Sequence, residues 1–241
     1  MKAAILISGQ CRTLDVCLPN LKAQIFRHFP EADLWVSVAS GADAVQADLF
    51  TTLGMNVRLL EVVEQPVLDE RDYRQRSEGG LYSIGEGSTD TTIVQRILRQ
   101  AWHLHRVYAH AAASGEDYDA YIRLRPDQWF VFGAAGFPII TPETAAIPWW
   151  GGFGGVNDRF AMLGTAAAKA YCWWPNLDAL LAGGCRFHPE TLTKVALESA
   201  GCRIVYTPVL AGTLKRNEMG HVLVREAEIC QEDIMPLPAT S

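Results

Sequence analysis

The segment Tyr121-Ile-Arg-Leu-Arg-Pro-Asp127 carries the most pointed chemistry in the chain. Apolar and charged positions alternate, so a strand here puts Arg123 and Arg125 on one face. Pro126 then stops the strand and delivers Asp127 at its carboxyl end. Ligands of open α/β sheets gather outside the carboxyl ends of the strands. A carboxylate beside two arginines at that place suits a diphosphate. The diphosphate is either bridged through Asp127 by a divalent cation (Mn or Mg) or clamped by guanidinium groups. The plainer alternative is an Arg–Asp pair that closes the strand.

Three further segments have residue types that could join this chemistry. Ser8-Gly9-Gln10-Cys11-Arg12 follows an apolar run at residues 3–7. Gly9 lets backbone approach a ligand and Arg12 can meet a base or a phosphate, although the turn is not a G-x-G-x-x-G loop. Asn157-Asp158 follows a turn containing Gly151, Gly152, Gly154 and Gly155. Asp158 is the first candidate for the base that deprotonates an attacking hydroxyl; the competing reading is an Asx-turn. His188-Pro189-Glu190 opens a helix, with Glu190 the second candidate base and His188 a candidate acceptor or metal contact. An acid behind a proline at a helix start is also favoured by the helix dipole alone. Trp150 adjoins the glycine turn and is a candidate platform for a sugar ring, though large aromatics mostly fill cores. Gln95 and Arg99 share a polar helical stripe at i,i+4 spacing. Arg74 and Arg76 lie in a long loop that could close over a diphosphate. His103, His105 and His110 match no metal-binding pattern and read as core or solvated side chains.

The pattern Tyr-Asp-x-Tyr-Ile-Arg-x-Arg-Pro-Asp, ending at Asp127, resembles a segment of bacterial and viral polysaccharide-synthesis proteins. Those in turn resemble glycosyltransferases of the GT-A, nucleotide-diphospho-sugar transferase type. Ile7-Ser-Gly-Gln-Cys-Arg-Thr13, Val156-Asn-Asp-Arg-Phe-Ala161 and His188-Pro-Glu190 fit the same resemblance, in that order. The resemblance implies a nucleotide-diphosphate sugar as donor and a hydroxyl of a glycan or lipid-linked glycan as acceptor. It places Asp127 at the metal-facing carboxylate of the family's strand-end motif, and Ser8, Gly9, Gln10 and Arg12 at the nucleotide. Asn157 and His188 lie in the matched segments and, with Trp150 from its place beside the glycine turn, are the expected substrate contacts. The sequence departs from the Asp-x-Asp form, because Arg125 stands at the first acidic position. Arg123 or Arg125 is then the alternative source of positive charge. The competing readings are a sugar-nucleotide binder without turnover and a non-enzymatic assembly protein. A nucleotidyltransferase wants a phosphate-cradling loop and lysine that the chain lacks.

Elements must hold these residues in place. Residues 3–7, 33–38 and 57–63 read as strands, with helices over 18–29 and 44–53 between them. A long helix is predicted over 90–113, and strands over 120–124, 129–132 and 145–149. Helices follow at 166–171, 177–181 and 189–200, and a last strand at 203–206. This alternation predicts an α/β fold: a mostly parallel central sheet with helices on both faces, GT-A-like and Rossmann-related. One domain spans residues 1–241, with a nucleotide-binding half over 1–127, an acceptor half over 128–216 and a tail from about 228. Hydrophobic residues make up 49% of the 241, which is ordinary globular usage. A formal net charge of −6 gives no general attraction for nucleic acid, so a bound phosphate must meet a local arginine cluster. Six cysteines without a CxxC pair read as reduced thiols. No run approaches the ~20 apolar residues of a spanning helix, and the apolar start is too short for a signal peptide. The expected location is cytoplasmic, with attachment to the inner face of a membrane left open.

Overall fold

A computed structural model describes residues 1–68, 91–132, 138–216 and 222–225. The apolar run near the start of the chain becomes β1 (Ala3–Gly9), buried on both faces. It lies inside a seven-stranded sheet whose order is β3 (Asn56–Val63), β2 (Asp33–Ala39), β1, β4 (Ala120–Leu124), β7 (Ala161–Leu163), β6 (Thr144–Pro148) and β8 (Arg203–Thr207). The first four strands in that order are mutually parallel, as are β6 and β8. Only β7 runs against its neighbours.

Side chains on β1 alternate between two cores, as the period of a strand requires. Ala3, Ile5 and Ile7 pack with Leu14, Cys17, Leu18 and Leu21 of α1 (Leu14–Gln24). Ala4 and Leu6 pack instead with Leu104, Val107 and Ala111 of α2 (Thr91–Ala112). Helices therefore cover both faces, and each fully buried Ile or Leu contributes about 1.5–3 kcal/mol. Beyond the sheet's second half lie α3 (Thr165–Tyr171), α4 (Leu177–Ala182) and α5 (Pro189–Ser199).

A second, antiparallel sheet was not expected. It consists of β10 (Val222–Arg225), β9 (Leu210–Arg216) and β5 (Gln128–Phe132). Phe130, Ala211 and Leu214 join the same core as β1 and α1, so the two sheets share one apolar interior. The predicted final strand at 203–206 is thus followed by two more. Pro208 before β9 and Gly212 within it hide that strand from a propensity reading. The helix expected over 44–53 is a 3-10 run, Ala42–Leu53, closed as anticipated by Gly54 in the left-handed region at φ 71°. The helix expected over 18–29 begins earlier, at Leu14. Arg74, Arg76 and the tail from about 228 lie outside the described residues. Among the described residues, the five cysteines are free thiols, and no helix is long and apolar enough to cross a membrane.

Candidate functional site

The four parallel strands end on one side of the molecule, and there the structure opens into a cavity of about 590 Å³. Ser8, Gly9 and Gln10 line it from the end of β1, Ala39 from β2, and Gln65 from the segment after β3. Its charge is one-signed. Arg12, Arg96, Arg99, Arg123, Arg125 and Arg159 all line it, and among the described residues no carboxylate does. All the lining residues except Arg159 and Thr213 come from positions 1–127.

Arg123 is the most costly of these side chains to place. It sits in the middle of the sheet, opposite Leu6 on β1 and Ala161 on β7, and is fully buried. Its Nη1 donates to the carbonyls of Ser8 and Leu124. Its Nε and Nη2 have no partner among the described residues. Burial, reinforced by the nearby Arg125, pushes its pKa below the ordinary arginine value, although Tyr171, Asp158 and Cys172 oppose this. A guanidinium stays protonated in any protein, so the consequence is a buried cation on the cavity wall that makes no ion pair among the described residues. Such a group costs several kcal/mol unless an anion answers it.

Asp127 is used differently. Its carboxylate is fully buried and takes two hydrogen bonds from Arg125, Nε to Oδ1 at 2.9 Å and Nη2 to Oδ2 at 2.8 Å. Arg12 Nη2 donates to Oδ2 at 3.2 Å. Burial alone would raise the carboxyl pKa, but Arg125 and then Arg12 outweigh it and hold it below the ordinary value. The local chain is fixed around this pair. Arg125 N–H donates to Gln128 Oε1 at 3.0 Å, and Leu214 N–H of β9 donates to the Asp127 carbonyl at 2.8 Å. Gly9 passes close to the same turn at φ 139°, where a Cβ would lie 3.3 Å from Pro126 Cδ. Glycine therefore answers both a backbone and a packing demand there.

A divalent cation fits this donor set poorly. Both oxygens of Asp127 are already held by guanidinium groups, which would have to be displaced. Among the described residues there is no group of three or more His, Cys, Asp or Glu side chains able to hold a metal ion. Magnesium or manganese wants several oxygen ligands, and six arginines repel any cation.

Apart from Arg159 and Thr213, the second half of the chain supplies the cavity's neighbourhood rather than its wall. Asp158 is buried and accepts a hydrogen bond from Gln100 Nε2; its Oδ1 lies 3.9 Å from Arg159 Nε. It lines a crevice of about 10 Å³, barely one water in size, next to the cavity. Gln100 lines both spaces, so Asp158 stands one hydrogen bond from the cavity. Glu190 and His188 are buried at the start of α5, Oε2 to Nε2 at 3.2 Å, while His188 Nδ1 meets Thr191 Oγ1 at 2.8 Å. Neither lines the cavity. Burial pushes the His188 pKa down despite the pull of Asp158.

Two expected contacts are placed elsewhere. Trp150 is a core side chain, packed with the β1 and α1 cluster, and its Nε1 donates to the Val209 carbonyl at 2.7 Å. It has no face to offer a sugar. Asn157 is also buried; its Nδ2 donates to the Trp150 carbonyl at 2.8 Å, and its Oδ1 accepts from the backbone N–H groups of Arg159 and Phe160. The sequence offers Asp158 for an Asx-turn, but Asn157 is the residue that makes one, and it secures the glycine turn from within. Ser8, Gly9, Gln10, Arg12, Arg123 and Arg125 do come together in one cavity, as their positions suggested. Arg96, Gln100, His103 and Arg159 were missed as cavity residues. The first three, with Arg99, occupy i, i+3, i+4 and i+7 on α2, a stripe readable once the helix's rotation is known.

No model of a known protein family matches the chain, and no curated protein sequence does. Among solved structures, the chain is similar to mouse xyloside xylosyltransferase 1 in its apo form, with 12% identity over 86% of this chain and 85% of that one, at a TM-score of 0.44. It is also similar to the nucleoside-diphosphate-sugar pyrophosphorylase of Vibrio cholerae RC9, with 12% identity over 85% of this chain and 90% of that one, at 0.46. Likeness at this level does not say which reaction the cavity serves. What the fold and site define is an α/β protein with an arginine-lined cavity at the carboxyl ends of its parallel strands.

Proposed function

We propose that the chain is a GT-A-like glycosyltransferase that binds a nucleotide-diphosphate sugar in the arginine-lined cavity and moves the sugar to a hydroxyl of a glycan or lipid-linked acceptor. The observation that carries this reading is Arg123, a fully buried guanidinium with two donors unmet, facing a space lined by five more arginines. A diphosphate in the cavity supplies a counter-charge to this group, and Arg12 and Arg125 already stand on the adjoining wall. In the reaction the acceptor oxygen bonds to the anomeric carbon as the bond to the donor phosphate breaks. The electron pair leaves with the nucleoside diphosphate, whose charge the guanidinium groups hold without a metal. The acceptor proton goes directly to Asp158 from a hydroxyl that enters the crevice this carboxylate lines, which meets the cavity at Gln100.

A second reading is favoured by one feature, the position of Asp158 in the side crevice rather than on the cavity wall. A sugar-nucleotide binder without turnover would look the same from the nucleotide side. Calorimetric titration with sugar nucleotides, followed by assay of nucleoside diphosphate release with hydroxyl acceptors, separates the two. Arg123→Met is the decisive variant. It removes a buried cation with little change in volume, so the unliganded protein is expected to unfold at a higher temperature. Binding is expected to fall by about a hundredfold, the worth of a charge-assisted hydrogen-bond pair of roughly 3 kcal/mol. Unchanged binding would sink the proposal, and binding without release would leave the non-catalytic reading standing.

A further inference from the structure

Among the described residues, every charged side chain on the cavity wall is a hydrogen-bond donor, yet the wall contains an imidazole. His103 of α2 is buried and lines the cavity. Its Nδ1 lies 2.9 Å from Ser37 Oγ of β2, and its Nε2 has no partner among the described residues. Ser37 belongs to a polar row across this face of the sheet. It pairs in register with Glu61 on β3 and Ser8 on β1. Glu61 is in turn held by Arg106, one helical turn beyond His103, with Nη2 to Oε2 at 3.0 Å.

This row fixes which ring nitrogen carries the proton. Burial would raise the Glu61 carboxyl pKa, but Arg106 and the Ser37 hydroxyl together hold it below the ordinary value. The hydroxyl proton of Ser37 is therefore directed to the Glu61 carboxylate. Its oxygen is left to accept from His103 Nδ1–H, so Nε2 keeps a lone pair. Burial also lowers the His103 pKa to about 4, with Arg106 and Arg123 adding to it against Glu61, so the ring is neutral at pH 7.

We infer, resting on the reading that this cavity takes a nucleotide, that His103 is its selective acceptor: Nε2 receives a hydrogen bond from a donor of the nucleoside, either a base imide N–H or a ribose hydroxyl. Arginines recognise the diphosphate that all nucleotides share. Discrimination needs a group of the opposite polarity, and His103 is placed to supply it. A site built around a buried acceptor rejects analogues that lack the donor, because the acceptor is then left unmet.

The test is a titration of wild type, His103→Phe, His103→Gln and Ser37→Ala with UDP, GDP, CDP, ADP and 2′-deoxy-UDP. Thermal midpoints check that each variant folds. UDP and GDP carry an imide N–H, and CDP and ADP do not. With the base imide as donor, wild type is expected to favour UDP over CDP and GDP over ADP by about tenfold; with the ribose hydroxyl as donor, it is expected to favour UDP over 2′-deoxy-UDP by the same factor, one hydrogen bond. His103→Phe is expected to bring that ratio close to one. His103→Gln, whose amide can present an oxygen where Nε2 was, restores it in part. Ser37→Ala keeps the ring but frees its tautomer, and erodes the same ratio. Loss of the UDP-to-CDP and GDP-to-ADP preference identifies the imide; loss of the UDP-to-deoxy-UDP preference identifies the hydroxyl. If wild type binds these ligands without preference, or if every affinity in His103→Phe and Ser37→Ala falls by one common factor, the inference is wrong while nucleotide binding stands. If wild type binds no nucleoside diphosphate, both readings are overturned together.

Discussion

Asp127 is worth most to this protein as a counter-charge. Two arginines converge on a carboxylate that no water reaches. Removing one member of such a cluster leaves cations buried without an answer. Asp127→Asn keeps the shape and loses the charge, and is expected to cost roughly 3–5 kcal/mol at pH 7, read by urea unfolding. The pH profile gives an independent check. The carboxyl pKa is lower in the folded chain than in the unfolded one. Its contribution is therefore complete above the unfolded value of about 3.9 and lost as pH falls through the folded value. The gap between wild type and Asp127→Asn should accordingly begin to narrow only below about pH 4 and go on narrowing as pH falls through the folded value. A variant as stable as wild type at pH 7 would mean that the carboxylate is not what holds Arg12 and Arg125. The Arg125–Asp127 pair was legible because the two adjoin in sequence at a strand end, whereas Arg12 joins it from 115 positions away. Asn157 and Trp150 misled because each type has two common uses, and burial chose the structural one in both cases.

At the scale of elements, the alternation of apolar runs exposed the parallel strands and the two helical layers, since buried strands and amphipathic helices differ in period. It did not expose the antiparallel run of β7 or the pairing of β5 with β9. Strand direction and partner are set by contacts remote in sequence, and β9 brings Thr213 to the cavity across more than two hundred residues from Ser8. The glycine turn shows a similar long-range demand. Gly155 is pressed against the first turn of α5, where any Cβ would overlap the Glu190 carbonyl. Val156 N–H donates to that same carbonyl at 3.1 Å. Gly155→Ala must therefore drive the turn and α5 apart. It is expected to destabilise by about 2–3 kcal/mol, within the range of overpacked buried sites. Because Asn157 and Asp158 follow directly, the same substitution should slow sugar transfer more than it weakens nucleotide binding. Wild-type stability in urea for Gly155→Ala would show that the contact yields freely.

For the whole molecule, the balance of charge decides what kind of ligand enters and with what help. The chain carries a net charge of −6, so its general field does not draw anions, and with a Debye length of about 8 Å at physiological salt the attraction is confined to the cavity mouth. Inside, six arginines line the space, and Asp127 beside them is already paired with two guanidinium groups. An added divalent cation would enter against that field and find both oxygens of Asp127 occupied. Binding of a sugar nucleotide is thus expected to be the same in manganese as in EDTA, measured as the ligand-induced rise in thermal midpoint at fixed ligand concentration. Weakening in EDTA by about tenfold, or 1.4 kcal/mol, would require acids from outside the described residues to build a metal site. It would return Asp127 to the metal role that its strand-end position first suggested. Indifference to EDTA in wild type, together with loss of binding in Arg123→Met, would assign the diphosphate's charge to guanidinium groups alone.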